Sequence, residues 1–123
     1  MNFEQTSEFS QDLKKLQKKW RSLPNDLSDA IVQINRLYLP QDGVDLTEYR
    51  SNFFNGKRAT ILRILNDGRE VVKMRLDVES LGTGSKVRIV FIVVRDQNKI
   101  TFVELFTKSD KNREDSNRLR KYL

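Results

Sequence analysis

At Ala59 the hydrophobic pattern of the chain changes period. Before it, apolar residues recur three and four apart; after it, they alternate or run continuously. A helical period does not settle in a sheet and a strand period does not settle in a helix, so the change orders the molecule as helices followed by strands, an α+β arrangement. Between Ser7 and Arg21, the residues Phe9, Leu13, Leu16 and Trp20 fall at offsets of 0, 4, 7 and 11, one stripe of an amphipathic helix. Thr6 or Ser7 is its expected cap. Pro24 suits the first turn of a second helix, in which Leu27, Ala30, Ile31, Ile34, Leu37 and Tyr38 keep the spacing until Pro40. A helical hairpin follows.

From Pro40 to Lys57 no period is sustained, and Asp42-Gly43 and Asn55-Gly56 are turn signals. Residues 40–58 therefore read as an irregular insertion, in which Leu46, Tyr49, Phe53 and Phe54 pack as a short helix or as a loop over the core. Four strand-like runs come next: Ala59 to Leu65, Val71 to Val78, Lys86 to Arg95 and Ile100 to Thr107. Asn66-Asp67-Gly68 and Asp96-Gln97-Asn98 are tight turns between neighbours, which makes antiparallel hairpins the economical pairing. Leu81 to Ser85, with Gly82 and Gly84, is a looser connection. Lys111 to Leu123 is polar and basic, with Leu119, Tyr122 and Leu123 to dock a last short helix. The expected fold is one domain over 1–123: a short strand and a helical hairpin (1–39), the insertion (40–58), an antiparallel sheet of four to five strands with the hairpin packed on one face (59–108), and a C-terminal helix (109–123).

Composition narrows the chemistry. At 123 residues the chain is long enough to bury roughly two-thirds of the surface its unfolded form exposes, so one core without staples suffices. Cysteine and histidine are both absent, which excludes disulfides, thiolate metal sites, histidine triads and the usual zinc hydrolase centres. No metal or cofactor is expected, and catalysis would rest on Lys, Arg, Tyr, Asp or Glu. The 23 Lys and Arg against 17 Asp and Glu give a formal +6, which favours polyanionic partners or gives a cationically biased surface. No apolar stretch approaches the ~20 residues of a membrane span and no signal-peptide order opens the chain, so a cytoplasmic protein without membrane contact is expected.

Within the strand-like runs, Val71, Lys73, Arg75 and Asp77 share one face and Val72, Met74 and Leu76 the other, one packing on the helices and one facing solvent or a ligand. In the next run Arg88 keeps step with Val90, Ile92 and Val94. If it faces the same groove as Lys73 and Arg75, three cations converge on a phosphate site; the alternative is a cross-strand ion pair with Glu79, Asp77 or Glu104. Glu104, between Phe102 and Phe106, reads as the partner of Arg88 or Lys73. Lys108, Lys111 and Arg113 leave the last strand, either extending an anionic groove or forming a solvated edge. Lys14, Lys15, Lys18, Lys19 and Arg21 are open to two readings too, a solvated helix face and an RNA-binding stripe.

Four phrases, in order, carry a resemblance: Phe9-Ser10-Gln11-Asp12-Leu13-Lys14-Lys15-Leu16, the Lys73-Met74-Arg75 strand, the Arg88-Ile89-Val90-Phe91 strand, and Phe102-Val103-Glu104-Leu105-Phe106-Thr107-Lys108-Ser109-Asp110-Lys111. Their succession resembles the RelE/ParE toxin superfamily, and the ending resembles its RelE-like branch. The resemblance implies an antiparallel sheet cupped by a helical hairpin, and the toxin of a type II toxin-antitoxin system that inhibits translation by cleaving mRNA on the ribosome and is held inactive by a cognate antitoxin. Carried over by position, Lys73, Arg75 and Arg88 are the catalytic cations, with Lys73 as base, Tyr122 stands for the C-terminal tyrosine and Lys108 or Lys111 for a cation near the last strand; Lys108, Lys111 and Arg113 are the candidate RNA contacts. A ParE-like poison of DNA gyrase and a non-catalytic basic module that binds RNA or protein are the competing readings.

Overall fold

The computed structural model describes residues 1–39, 43, 45–55, 58–82 and 84–123. Thr6 accepts the Phe9 N–H at 3.1 Å and opens α1, Ser7–Leu16, with Glu8 in the first turn and Lys14 and Lys15 in the last, each at the helix end its charge favours. The helix stops five residues before the expected Arg21. Lys19 and Trp20 N–H both turn back to the Leu16 carbonyl, at 3.0 Å each, and this tightened turn brings Trp20 onto the core and the chain into α2. In α2, Leu23–Tyr38, Pro24 lies in the first turn, and Leu23, Leu27, Ala30, Ile34 and Leu37 form the buried stripe. Pro40 and the Asp42 and Gly56 halves of the two turn signals lie outside the described residues.

The stretch read as irregular holds a helix, α3, Leu46–Asn55. Its start is local chemistry: Asp45 accepts the Glu48 N–H at 3.2 Å, a cap three residues ahead of a glutamate. Apolar period does not reveal it because its contact with the core is narrow, through buried Phe53 with Tyr49 and Phe54 beside it. Arg50 ties the helix to its neighbours, lying 4.7 Å from the Tyr38 ring centre and 3.6 Å from the Glu70 carboxylate, to which Tyr38 donates at 3.1 Å. Burial, and next the Glu70 charge, push the Tyr38 phenol well above its ordinary value.

The sheet is five-stranded and mixed: β1 (Asn2–Gln5), β2 (Ala59–Ile64), β3 (Glu70–Arg75), β4 (Val87–Val94) and β5 (Lys99–Thr107), in the order β1-β5-β4-β3-β2. From β2 to β5 every pair is antiparallel, as the tight turns require; β1 runs parallel to β5. A wholly antiparallel sheet was expected, and the difference follows from the order of the chain. The helices between β1 and the remaining strands supply the long crossover that a parallel pair needs, and residue alternation carries no information on strand direction. Beyond β1, the outer edge of β5 is closed by polar groups, with Thr6 N–H donating to Phe102 at 3.1 Å and Asp12 accepting the Leu105 N–H at 3.0 Å.

Both faces are covered. Helices α1 and α2 pack on Val72, Met74, Leu76, Ile89, Phe91, Val93 and Phe102, while Val71, Val90, Ile92, Val103 and Phe106 lie under Leu119, Tyr122 and Leu123. The second face was expected to meet solvent or a ligand; the C-terminal segment roofs part of it. That segment contains only a short helix, α4, Ser116–Arg120, within the expected 109–123, capped by Asp115 accepting the Arg118 N–H at 3.0 Å. A bulge in β5 leaves Val103 between the pairs Val90–Glu104 and Phe91–Phe102, so Phe102 and Phe106 face opposite sides and Glu104 does not lie between them. Among the described residues, no helix is long and apolar enough to cross a membrane.

Candidate functional site

Strands β3 and β4 set Arg75 opposite Arg88 and Lys73 opposite Val90. Leu76 N–H donates to the Val87 carbonyl at 2.9 Å, so the adjoining Arg75–Arg88 pair is of the narrow kind whose side chains stand closest. Alternation and the Arg75–Arg88 register place Lys73, Arg75 and Arg88 on the face of Val71, Val90 and Ile92, so of the two arrangements left open for Arg88 it shares the face of Lys73 and Arg75. The Arg88 guanidinium donates to the Ser85 carbonyl at 3.0 Å and the Val87 carbonyl at 3.1 Å. It makes no ion pair among the described residues: Asp77 is taken by Arg58 at 2.6 Å, and Glu104 by Lys111. The cross-strand pairing weighed for Arg88 is therefore not formed. Burial, and next the facing Arg75 charge, hold the Arg88 guanidinium below its ordinary value. Like charges directly opposite one another are unfavourable, and an anion lying between them relieves the repulsion.

Lys73 has a carboxylate of its own. Its Nζ stands 2.9 Å from Glu114, in the segment leading to α4. An ammonium in an ion pair is arranged to hold an anion, and a phosphate reaching Lys73 must displace Glu114. Glu104, 2% exposed, is satisfied by Lys111 and by the Asp115 N–H at 2.8 Å, partners other than the expected Arg88 or Lys73. Lys111 thus has a structural contact, its Nζ also 5.3 Å from the Phe106 ring centre, while its side chain stays 40% exposed. Lys108 and Arg113 are exposed. Lys108 N–H donates to the Lys86 carbonyl at 2.9 Å, which brings Lys86 to the same end of the sheet as Arg75 and Arg88.

Tyr122 lies elsewhere. It packs on the second face, donates to Glu8 at 2.8 Å, and lines an open groove of about 570 Å³ with Ile92, Val94 and Thr101, further along β4 from Arg88. Its contacts pin the C-terminal segment to α1, as do those of Arg118, which holds Asp12 at 2.5 and 3.2 Å and lies 3.4 Å from Glu8. The Tyr122 hydrogen bond, then the Lys121 and Arg118 charges, hold the Glu8 carboxyl below the usual carboxylate range. Asp115 is lowered chiefly by capping the Arg118 N–H.

Sequence reasoning did not assign Glu114 to Lys73 or Arg118 to Asp12. A capping signal at Asp115 was present locally, but a pair separated by 106 positions leaves no local trace. Among the described residues, no group of three or more Asp or Glu is placed to hold a metal ion. What the face offers is charge: two guanidiniums and one displaceable ammonium, a donor set matched to phosphodiester oxygens. Neither a protein-family model nor a curated protein sequence matches this chain.

Proposed function

We propose that this chain is a RelE-like toxin: a metal-independent endoribonuclease that cuts mRNA on the ribosome, inhibits translation and is restrained by a cognate antitoxin protein. The observation that carries the reading is the Arg75–Arg88 pair with Lys73 beside it, cations from adjacent strands facing one another where, among the described residues, no carboxylate pairs with Arg88. The architecture implied by the resemblance, a helical hairpin cupping an antiparallel sheet, belongs to the same proposal. It is supported by the antiparallel run from β2 to β5 and by α1 and α2 on one face, while the parallel β1 departs from it.

In this reading the 2'-hydroxyl oxygen of a ribose attacks the adjacent phosphorus, the bond to the 5'-oxygen breaks, and the products are a 2',3'-cyclic phosphate and a 5'-hydroxyl end. Arg75 and Arg88 hold the phosphoryl oxygens and stabilise the charge that builds on them. The substrate displaces Glu114 from Lys73; the proposed base role requires Lys73 first to give up its own proton to solvent, after which its amine takes the 2'-hydroxyl proton, and the departing 5'-oxygen takes a proton from water. A specific observation favours a second reading, a non-catalytic basic module: Lys73 and Tyr122 are both engaged by carboxylates, Glu114 and Glu8.

Expression in growing bacteria without an antitoxin, with new RNA 5' ends mapped beside a Lys73→Ala, Arg88→Ala protein, separates these readings. Cuts within translated codons that vanish in the variant are the expected result. Growth arrest with gyrase-dependent DNA breaks and no such cuts would indicate a ParE-like poison, and no arrest a binding module.

A further inference from the structure

Five cations lie between Lys14 and Arg21, and all five are exposed: Lys14, Lys15, Lys18, Lys19 and Arg21. The helix macrodipole accounts for Lys14 and Lys15 in the last turn of α1. It does not account for the other three, which lie beyond the helix end. The acids of α1 do not compensate the cluster either. Glu8 and Asp12 are engaged by Arg118, Lys121 and Tyr122 from the C-terminal segment, and the three ion pairs α1 forms among the described residues all involve these two acids. Charge from the C-terminus thus neutralises the acidic half of the helix and leaves its basic half bare.

Position joins this cluster to the candidate site. Lys15 and Leu16 line a cavity with Phe106, Lys111 and Asp110, and Phe106 pairs across the sheet with Arg88. From α1 the cations continue by way of Lys111 toward Arg88 and Arg75; of the three acids that line this cavity, Asp12 is paired with Arg118 and Glu104 with Lys111, and Asp110 is exposed. The apolar residues of the segment, Leu13, Leu16 and Trp20, are packed against the helix-side core, and Lys19 stands over the Trp20 ring at 4.7 Å. A lipid surface would be met by an exposed apolar side chain able to enter it, which this segment does not present. A bare array of lysines suits a regular array of phosphates.

We infer that the C-terminal end of α1 and the turn after it form a docking surface for an RNA backbone, separate from the sheet face and continuous with it. The choice of RNA over other polyanions rests on the function proposed above. The surface positions the polynucleotide by charge and reads no sequence, and the arginine pair meets one phosphate of it.

The test is anisotropy of a fluorescein-labelled RNA hairpin across a salt series, run with three proteins: the parent, Lys14→Gln, Lys15→Gln, Lys18→Gln and Lys19→Gln combined, and Arg75→Gln with Arg88→Gln. Thermal unfolding of each shows that it is folded. The lysine variant is expected to flatten the slope of log Kd against log salt by about 3, since each phosphate contact contributes about 0.7 to 0.9, and the arginine variant to flatten it less while losing cleavage. A folded lysine variant with the parental slope overturns the inference, as does parental binding to phosphatidylglycerol vesicles that equals binding to RNA. Loss of slope in the lysine variant of a parent that cuts no RNA leaves the docking surface standing and removes the ribonuclease.

Discussion

Arg88 in β4 and Lys111 just beyond β5 are cations with opposite circumstances, and their carboxylates decide what each can do. Arg88 has none among the described residues and faces Arg75; Lys111 is held by Glu104, which is 2% exposed. Removing one member of a buried ion pair strands the other, so Lys111→Met is expected to cost about 2 kcal/mol, below the full range for such losses because the lysine is partly solvated. Adding Glu104→Gln should recover roughly half of it, read as a coupling term in a double-mutant cycle by urea unfolding. A Lys111→Met protein as stable as its parent would show that the pair has no structural role. Strand alternation is local, which is why the common face of Lys73 and Arg75 was legible in the sequence, while the side taken by Arg88, on another strand, was left open between that face and an ion pair. The bulge at Val103 interrupts that alternation, and the same reasoning failed there for Phe102, Glu104 and Phe106.

Among the elements, those defined by a long apolar stripe or a tight turn were readable: α2, the four C-terminal strands and their antiparallel order. Those defined by a cap or by partners distant in sequence were not. α3 announces itself only through Asp45 and Glu48, the direction of β1 is set by the crossover that follows it, and α4 is held by Asp12 and Glu8 from the other end of the chain. The seating of α4 is accordingly acid-sensitive. Glu8 and Asp115 both titrate lower in the folded protein than their ordinary values of 4.5 and 3.8. Their contribution is therefore complete above those values and is lost as pH falls through the lower folded values. Amides of α4 are expected to lose hydrogen-exchange protection before those of β4 as pH is lowered below 4.5, and Glu8→Gln should weaken that dependence. Simultaneous loss in both elements would contradict this account of the contact.

For the whole molecule, the formal +6 is less informative than its distribution. Most acids near the C-terminal segment are consumed internally, Glu8 and Asp12 by Arg118, Glu104 by Lys111 and Glu114 by Lys73. Lys73, Arg75 and Arg88 share one end of the sheet and five exposed cations the adjoining end of α1, where the proposed phosphate site and docking surface lie. The composition left a polyanionic partner and a merely cationic surface both open; the folded chain shows how the cations are distributed. The most direct test is nitrogen-detected NMR of the arginine and lysine side chains during titration with a short single-stranded RNA. Lys73, Arg75 and Arg88 are expected to shift together and saturate at one stoichiometry as Lys73 leaves Glu114. Saturable binding that moves other cations and leaves these three unchanged would contradict the assignment of the sheet face as the phosphate site.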